Sequence, residues 1–370
     1  MPRHLLMPSR LVIGPGAAAE LGRTTARLGG RALLVTGRKA LREAGTTTRI
    51  LETLADDGVE TTPFEGVEPE PSCETCDRVR AALNSTPCDV VIGVGGGSVL
   101  DAAKVAAGLA GETHPTLDFW NGRKVDKPGV PFVAVPTTSG TGAEATTNGV
   151  LTNPHIPAKK SIRDDSFLAR VVVLDPELTA SVPPKVTAYS GMDALVQAIE
   201  SFTSIHASAV TDAWSFEAVR RLKGSVLKAY RDGSDASARA DAAYGSLLAG
   251  LALSNARLGL VHGLAHPLGA RYHIPHGLVC AVLLPPVMRF NRESCAEKYA
   301  RLDHVMGGDA VAFVERLMHD LDLPSDLKAF AVQPDDVPLL VEESLPSGSL
   351  KANPREATPE ACTRILMRVI

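Results

Sequence analysis

No apolar run in the 370 residues approaches the roughly 20 needed to span a bilayer as a helix. The opening segment, Met1 to Pro8, has too short an apolar stretch to read as a secretory signal. Cysteine is sparse: six are scattered without a regular framework, which fits a reducing interior better than a disulfide scaffold. Neither sign of charge dominates. The 38 Lys and Arg against 42 Asp and Glu leave a formal net charge of −4, which gives no ground to expect nucleic acid or an anionic membrane as partner. There is no repeat at a solenoid period and no low-complexity tract. What is present is ordinary for a soluble protein, 45% hydrophobic and 22% charged. The length exceeds one ordinary hydrophobic core and predicts two domains. These bounds fit a cytoplasmic protein of enzyme size.

The first half alternates short apolar runs with helical patterns. Arg31–Thr36, Asp89–Val94, Pro131–Val135 and Arg170–Leu174 read as buried strands. Between them, Ala17, Leu21 and Leu28 mark one helix face and Ile50, Leu51 and Leu54 another. Continuous apolar strands alternating with amphipathic helices predict an α/β domain with a parallel sheet covered on both faces. After Asp175-Pro176-Glu177-Leu178 the strand signals nearly vanish. Helices are predicted over 186–202, 207–222, 236–253, 279–290, 295–306, 311–321 and 358–369, with Pro285-Pro286 expected to interrupt or kink the fourth. Consecutive prolines at Val182-Pro183-Pro184 place the boundary, giving an α/β domain over 1–182 and an all-helical domain over 183–370.

The strand Val90–Val94 runs into Gly95-Gly96-Gly97-Ser98, and a helix begins at once with Val99, Leu100 and Asp101. Glycines let backbone N–H groups approach an anion, and a helix N-terminus adds a favourable dipole, so a pyrophosphate belongs there. The spacing is not G-x-G-x-x-G, and a glycine turn also serves as a plain strand–helix connection. A second loop, Pro136-Thr137-Thr138-Ser139-Gly140-Thr141-Gly142, follows the next strand. Both loops leave the carboxyl ends of strands, where open α/β sheets bind ligands, so both can face one phosphate-bearing dinucleotide. The strand ending in Gly37-Arg38-Lys39 carries no acid for a ribose 2′-OH. Gly37 leaves room, and the basic pair suits a 2′-phosphate, which favours NADP over NAD.

The helical half carries a second constellation. Asp193 and Gln197 stand i, i+4 on one predicted helix, and His262 and His266 repeat that spacing on another. His276, between Pro275 and Gly277, is expected in a turn. Two imidazoles and a carboxylate (Asp193, His262 and His276) suit ferrous iron or zinc with a position left for substrate, and Gln197 offers a weaker amide oxygen. His266 is read either as a relay for an alcohol proton or as a packed helix residue. Cys73-Glu74-Thr75-Cys76 has no second pair to complete a structural zinc site, and it is read as incidental on a surface helix.

The ordered motifs Gly95-Gly96-Gly97-Ser98-x-x-Asp101-x-x-Lys104, Pro136-Thr137-Thr138-x-Gly140-Thr141-Gly142-x-Glu144, Asp175-Pro176-Glu177-Leu178, Gly191-Met192-Asp193-Ala194-Leu195, His262-Gly263-Leu264-Ala265-His266-Pro267-Leu268-Gly269 and Pro275-His276-Gly277 resemble those of the iron-containing (group III) alcohol dehydrogenase family. The likeness spans nearly the whole chain. It implies the fold that this family shares with dehydroquinate synthase, with a cleft between the two domains. It further implies that Asp193, His262 and His276 ligate the metal, and that Gly95, Gly96, Gly97, Ser98, Asp101, Thr137, Thr138, Thr141 and Lys160 contact the cofactor. Asn148 would lie near the substrate, and the chain would be a homodimer. One departure stands out. The family's usual fourth ligand, a histidine four residues after the aspartate, is here Gln197, a poorer donor.

The resulting expectation is metal-assisted hydride transfer between nicotinamide and a small alcohol or carbonyl compound. Gln197 keeps open a metal-free reductase of an oxo acid, similar to maleylacetate reductase, and a non-catalytic dinucleotide-binding protein. Cyclisation of the dehydroquinate synthase kind would need a basic pocket, and no basic cluster accompanies the histidines. Phe119, Trp120 and Tyr272 are candidates for the pocket wall.

Overall fold

The computed structural model describes residues 4–156 and 158–370, so the first three residues of the N-terminal segment lie outside the described residues. The polypeptide divides into two compact units. One comprises residues 1–138 and 143–182, the other 139–142 and 183–370.

In the first unit, strands and helices alternate. They run β1 (Arg10–Ile13), α1 (Leu21–Ala26), β2 (Arg31–Gly37), α2 (Ala40–Glu43), α3 (Thr46–Asp56), β3 (Glu60–Val67) and α4 (Cys73–Ser85). Next come β4 (Val90–Gly95), α5 (Gly97–Gly108), α6 (Thr116–Trp120), β5 (Phe132–Pro136), β6 (Asn148–Asn153), β7 (Ala158–Arg163) and β8 (Val171–Leu174). Six strands form one sheet in the order β1-β8-β5-β4-β2-β3, every pair parallel. β6 and β7 form a separate antiparallel hairpin. The central strands β4, β5 and β8 are buried throughout, as a sheet covered on both faces requires. One layer beneath it is built from Leu21, Leu34, Ile50, Leu54, Ile92, Val133 and Val173. The chain passes from β2 out to β3 and returns to β4 on the other side of β2. The strand order therefore reverses between β2 and β4, which is where an open α/β sheet presents its ligand crevice.

The second unit is helical: α7 (Pro184–Thr203), α8 (Ala209–Arg231), α9 (Ala236–Ala256), α10 (Leu260–Tyr272), α11 (His276–Asn291), α12 (Ala296–Met306), α13 (Ala310–Asp320), α14 (Val337–Ser344) and α15 (Pro359–Leu366). α7 is the central member, buried along most of its length and packed on α8, α9 and α11. Leu195, Phe202, Leu222, Leu264, Leu278, Leu283 and Tyr299 share its core.

Three expectations need correction. Pro285 and Pro286 do not interrupt α11, which continues to Asn291, so of the two expected outcomes, interruption or kink, the first is ruled out. The proline rings are buried among apolar neighbours, and that packing holds a helix lacking two of its own hydrogen bonds. His276 is the first residue of α11 rather than part of a turn, because Pro275 is extended and serves as its N-cap. α4 is not simply a surface helix, since Cys73 and Cys76 both face the core. All six cysteines are free thiols. Among the described residues, no single helix is long and apolar enough to cross a membrane.

Candidate active site

β4 delivers the glycine turn. A Cβ on Gly95 would stand 2.6 Å from Val99 Cγ2, and one on Gly96 would stand 3.2 Å from Thr138 Oγ1. The second contact means that the glycine turn and the hydroxyl loop touch. Thr137 N–H also donates to the Gly95 carbonyl at 3.0 Å. Gly96 is the N-cap of α5, so Gly97 and Ser98 open a helix whose first N–H groups have no partner within it. Gly37 closes β2 beside Val99, in ordinary contact only, with Arg38 and Lys39 exposed beyond it.

Beneath the turn lies a buried cation. Lys104 Nζ donates to the Ala143 carbonyl, to Thr146 Oγ1 at 2.8 Å and to the Asn148 carbonyl at 2.9 Å, and it pairs with Asp101 at 3.4 Å. The Asp101 carboxylate also accepts from Val150 N–H at 3.0 Å. Asp101, expected to touch the cofactor, is thus already engaged in joining α5 to β6. Ser98 Oγ accepts from Glu70 N–H at 3.1 Å. Lys160, on β7, is exposed and donates to the Trp120 carbonyl at 3.1 Å. Asn148 opens β6, with its Oδ1 accepting from Arg163. Thr141 belongs with residues 139–142 to the second unit. There Gly142, at φ +59°, lies so close to Gly250 that an added Cβ would stand 2.5 Å from its Cα.

In the second unit three helices converge. α7 brings Asp193, α10 brings His262, and the first residue of α11 is His276. His262 Nε2 stands 3.2 Å and His276 Nε2 3.8 Å from Asp193 Oδ1. The His266 ring stacks on His276, with centroids 5.5 Å apart and planes 14° apart. Gln197 Nε2 donates to Asp193 Oδ2 at 3.0 Å, which leaves Oε1 buried without a partner among the described residues.

Sequence reasoning missed two members of this cluster. Glu200, one turn beyond Gln197 on α7, takes His262 Nδ1 at 2.7 Å and Val261 N–H at 2.6 Å. A carboxylate at i, i+7 from Asp193 was the available signal. Cys280, four residues along α11 from His276, places Sγ 3.6 Å from His276 Nε2. The donor atoms of Asp193, His262, His276 and Cys280 all lie within 4.8 Å of one another.

The electrostatics fit a cation. Burial raises the Asp193 carboxyl, but the His262 hydrogen bond and the charges on both imidazoles outweigh it and hold the group below its usual range. Burial opposes charge on His262, yet Cys280, Asp193 and Glu200 raise it well above its ordinary value. The donor set is a further sign, since two imidazoles, a carboxylate and a thiol with donor atoms within 4.8 Å of one another suit zinc or iron.

Residues 8–176 match the family model described as iron-containing alcohol dehydrogenase, and residues 187–370 match the model of that family's C-terminal part. The long-chain-alcohol dehydrogenase 1 of Geobacillus thermodenitrificans is 38% identical over 364 residues, covering 94% of this chain and 92% of the relative. A crystal structure of 1,3-propanediol oxidoreductase superposes with TM-score 0.96 at 36% identity over the full length of both chains. That of sulfoacetaldehyde reductase from Bifidobacterium kashiwanohense, in complex with NAD+, superposes with TM-score 0.92 at 28% identity, covering 100% of this chain and 99% of the other. The chain belongs to the iron-containing alcohol dehydrogenase family, oxidoreductases acting on CH–OH groups with a nicotinamide cofactor and a divalent metal.

Proposed function

We propose that this enzyme is metal-dependent, that it interconverts a small alcohol and its aldehyde or ketone, and that residues 1–182 serve the dinucleotide while residues 183–370 serve metal and substrate. The observation that carries this reading is the convergence of Asp193, His262 and His276 from three helices onto one buried point, with Glu200 behind His262. Asp193, His262 and His276 are the residues that would hold the ion. When bound, the ion supplies Lewis acidity that lowers the proton affinity of an alcohol oxygen.

Every other role falls to the chain itself. Glu200 accepts from His262 Nδ1 and so fixes the tautomer whose Nε2 lone pair would face the ion. His266, half-buried on the face of His276, carries the alcohol proton toward solvent. The N–H groups of Gly97 and Ser98, with Thr137 and Thr138, hold the pyrophosphate. Asp101 and Lys104 hold the loops in place from below. Arg38 and Lys39, exposed beyond Gly37, support NADP, whereas the NAD+ in the sulfoacetaldehyde reductase crystal supports NAD. The resemblance supports a homodimer, and the free thiols fit a reducing, cytoplasmic setting.

The test is oxidation of a panel of primary alcohols with NAD and NADP, using protein stripped by chelator and then reloaded with iron, zinc or manganese. Activity that depends on the added metal and is lost in His276→Ala supports the reading. Undiminished activity after stripping, best with an oxo acid, would establish the metal-free reductase instead.

A further inference from the structure

We propose that Cys280 supplies a fourth protein ligand to the metal, joining Asp193, His262 and His276, and that its sulfur rather than the Gln197 amide completes the set. The proposal rests on the metal reading above and concerns which atoms hold the ion.

The distances carry it. Four donors around a tetrahedral ion at about 2.0–2.3 Å stand roughly 3.3–3.8 Å from one another. Three edges of the cluster already have nearly that length: His262 to Asp193 at 3.2 Å, His276 to Cys280 at 3.6 Å and His276 to Asp193 at 3.8 Å. No donor pair exceeds 4.8 Å, so small side-chain adjustments bring all four to one ion, which can expand to five-coordinate to take the substrate oxygen. His276 and Cys280 stand i, i+4 on α11, the same arrangement that sets Asp193 and Gln197 on α7, so both helices present two side chains to one point.

Gln197 bears on the choice. It is buried, and its amide nitrogen, which offers no lone pair to a metal, is the atom turned to Asp193 Oδ2. The resemblance puts a histidine ligand at that position in similar proteins, and here the amide braces the carboxylate instead. The sulfur fills the vacated place from the opposite helix. As the S–metal bond forms, the S–H bond breaks and its proton passes to solvent, as in any thiolate site. Carboxylate and thiolate together neutralise a divalent ion. A thiolate donor also favours zinc over ferrous iron.

The deciding measurement is zinc K-edge X-ray absorption on the full-length protein, stripped by chelator and reloaded with one equivalent of zinc. One sulfur at about 2.3 Å, beside imidazole and oxygen at about 2.0–2.2 Å, is the expected first coordination sphere. In Cys280→Ser the sulfur shell vanishes, the imidazole scattering persists, and zinc affinity falls by about tenfold or more. The cobalt-loaded wild-type protein should show a thiolate-to-metal charge-transfer band that the variant lacks. A wild-type shell of nitrogen and oxygen alone, with imidazole present, overturns the proposal and leaves the metal reading standing. Failure to bind zinc, or a shell without imidazole, overturns both. The wild-type spectrum decides the matter even if the variant does not fold.

Discussion

His262 is held between two carboxylates, with Nδ1 2.7 Å from Glu200 Oε2 and Nε2 3.2 Å from Asp193 Oδ1. One contact orients the ring and the other shares its free face. Glu200→Gln weakens the charge-assisted bond and leaves the ring tautomer unfixed. Divalent-metal affinity is expected to fall by about 10–100-fold, read by competition against a chromophoric chelator. Affinity equal to wild type would mean that Glu200 merely packs α7 against α10.

Lys104→Met strands the Asp101 carboxylate and the carbonyls that Nζ now satisfies. Breaking a buried pair in this way costs about 3–5 kcal/mol. The expected result is a lower melting temperature and a raised KM for the dinucleotide, with metal content unchanged. Loss of metal together with cofactor affinity would show that the damage spreads beyond the loops.

Burial lifts the Glu144 carboxyl from its ordinary 4.5 to about 7, with Lys104 opposing the rise and Asp101 adding to it. The folded state then holds a proton that the unfolded chain releases. The stabilisation is complete below pH 4.5 and is lost as pH rises through about 7. Glu144→Gln should flatten that part of the melting-temperature profile. It should also raise stability at pH 8 by a few kcal/mol, because a tenfold change in proton affinity corresponds to about 1.4 kcal/mol. A variant whose profile still falls across the same window would assign the slope to another group.

Arg38 is exposed just beyond the end of β2, close to the strand-order reversal. If its guanidinium meets a 2′-phosphate, Arg38→Ala should lower the ratio of kcat/KM for NADP to that for NAD by about tenfold, the worth of one exposed charge-assisted contact. An unaltered ratio would leave Lys39 as the remaining basic candidate in this loop.

The parts legible in the sequence were those written in continuous apolar runs. β2, β4, β5 and β8 lie inside the sheet, so their buried stretches are apolar on both faces almost throughout. β3 escaped notice because it is an edge strand of mixed exposure. It carries Pro63, a residue that sheets tolerate on edge strands and that weakens a strand reading of the sequence. β1 is four residues long at the other edge, and the β6–β7 hairpin is largely polar. The same logic divides the site. Asp193, His262 and His276 stood out as polar residues of ligand type beside glycines. Glu200 looked like any charged helix residue. Cys280 sits inside the apolar run Leu278 to Leu284, where a thiol reads as core. Only the meeting of α7, α10 and α11 separates these two from their neighbours.

Asp193 and His262 are 69 residues apart in the chain. An ion gripping both, together with His276, acts as a removable staple across a long loop of the unfolded polypeptide. Under the proposed metal dependence, metal supply would bear on the lifetime of the helical unit as well as on its turnover. A cell short of metal would be left with protein that melts earlier, not merely with an idle catalyst.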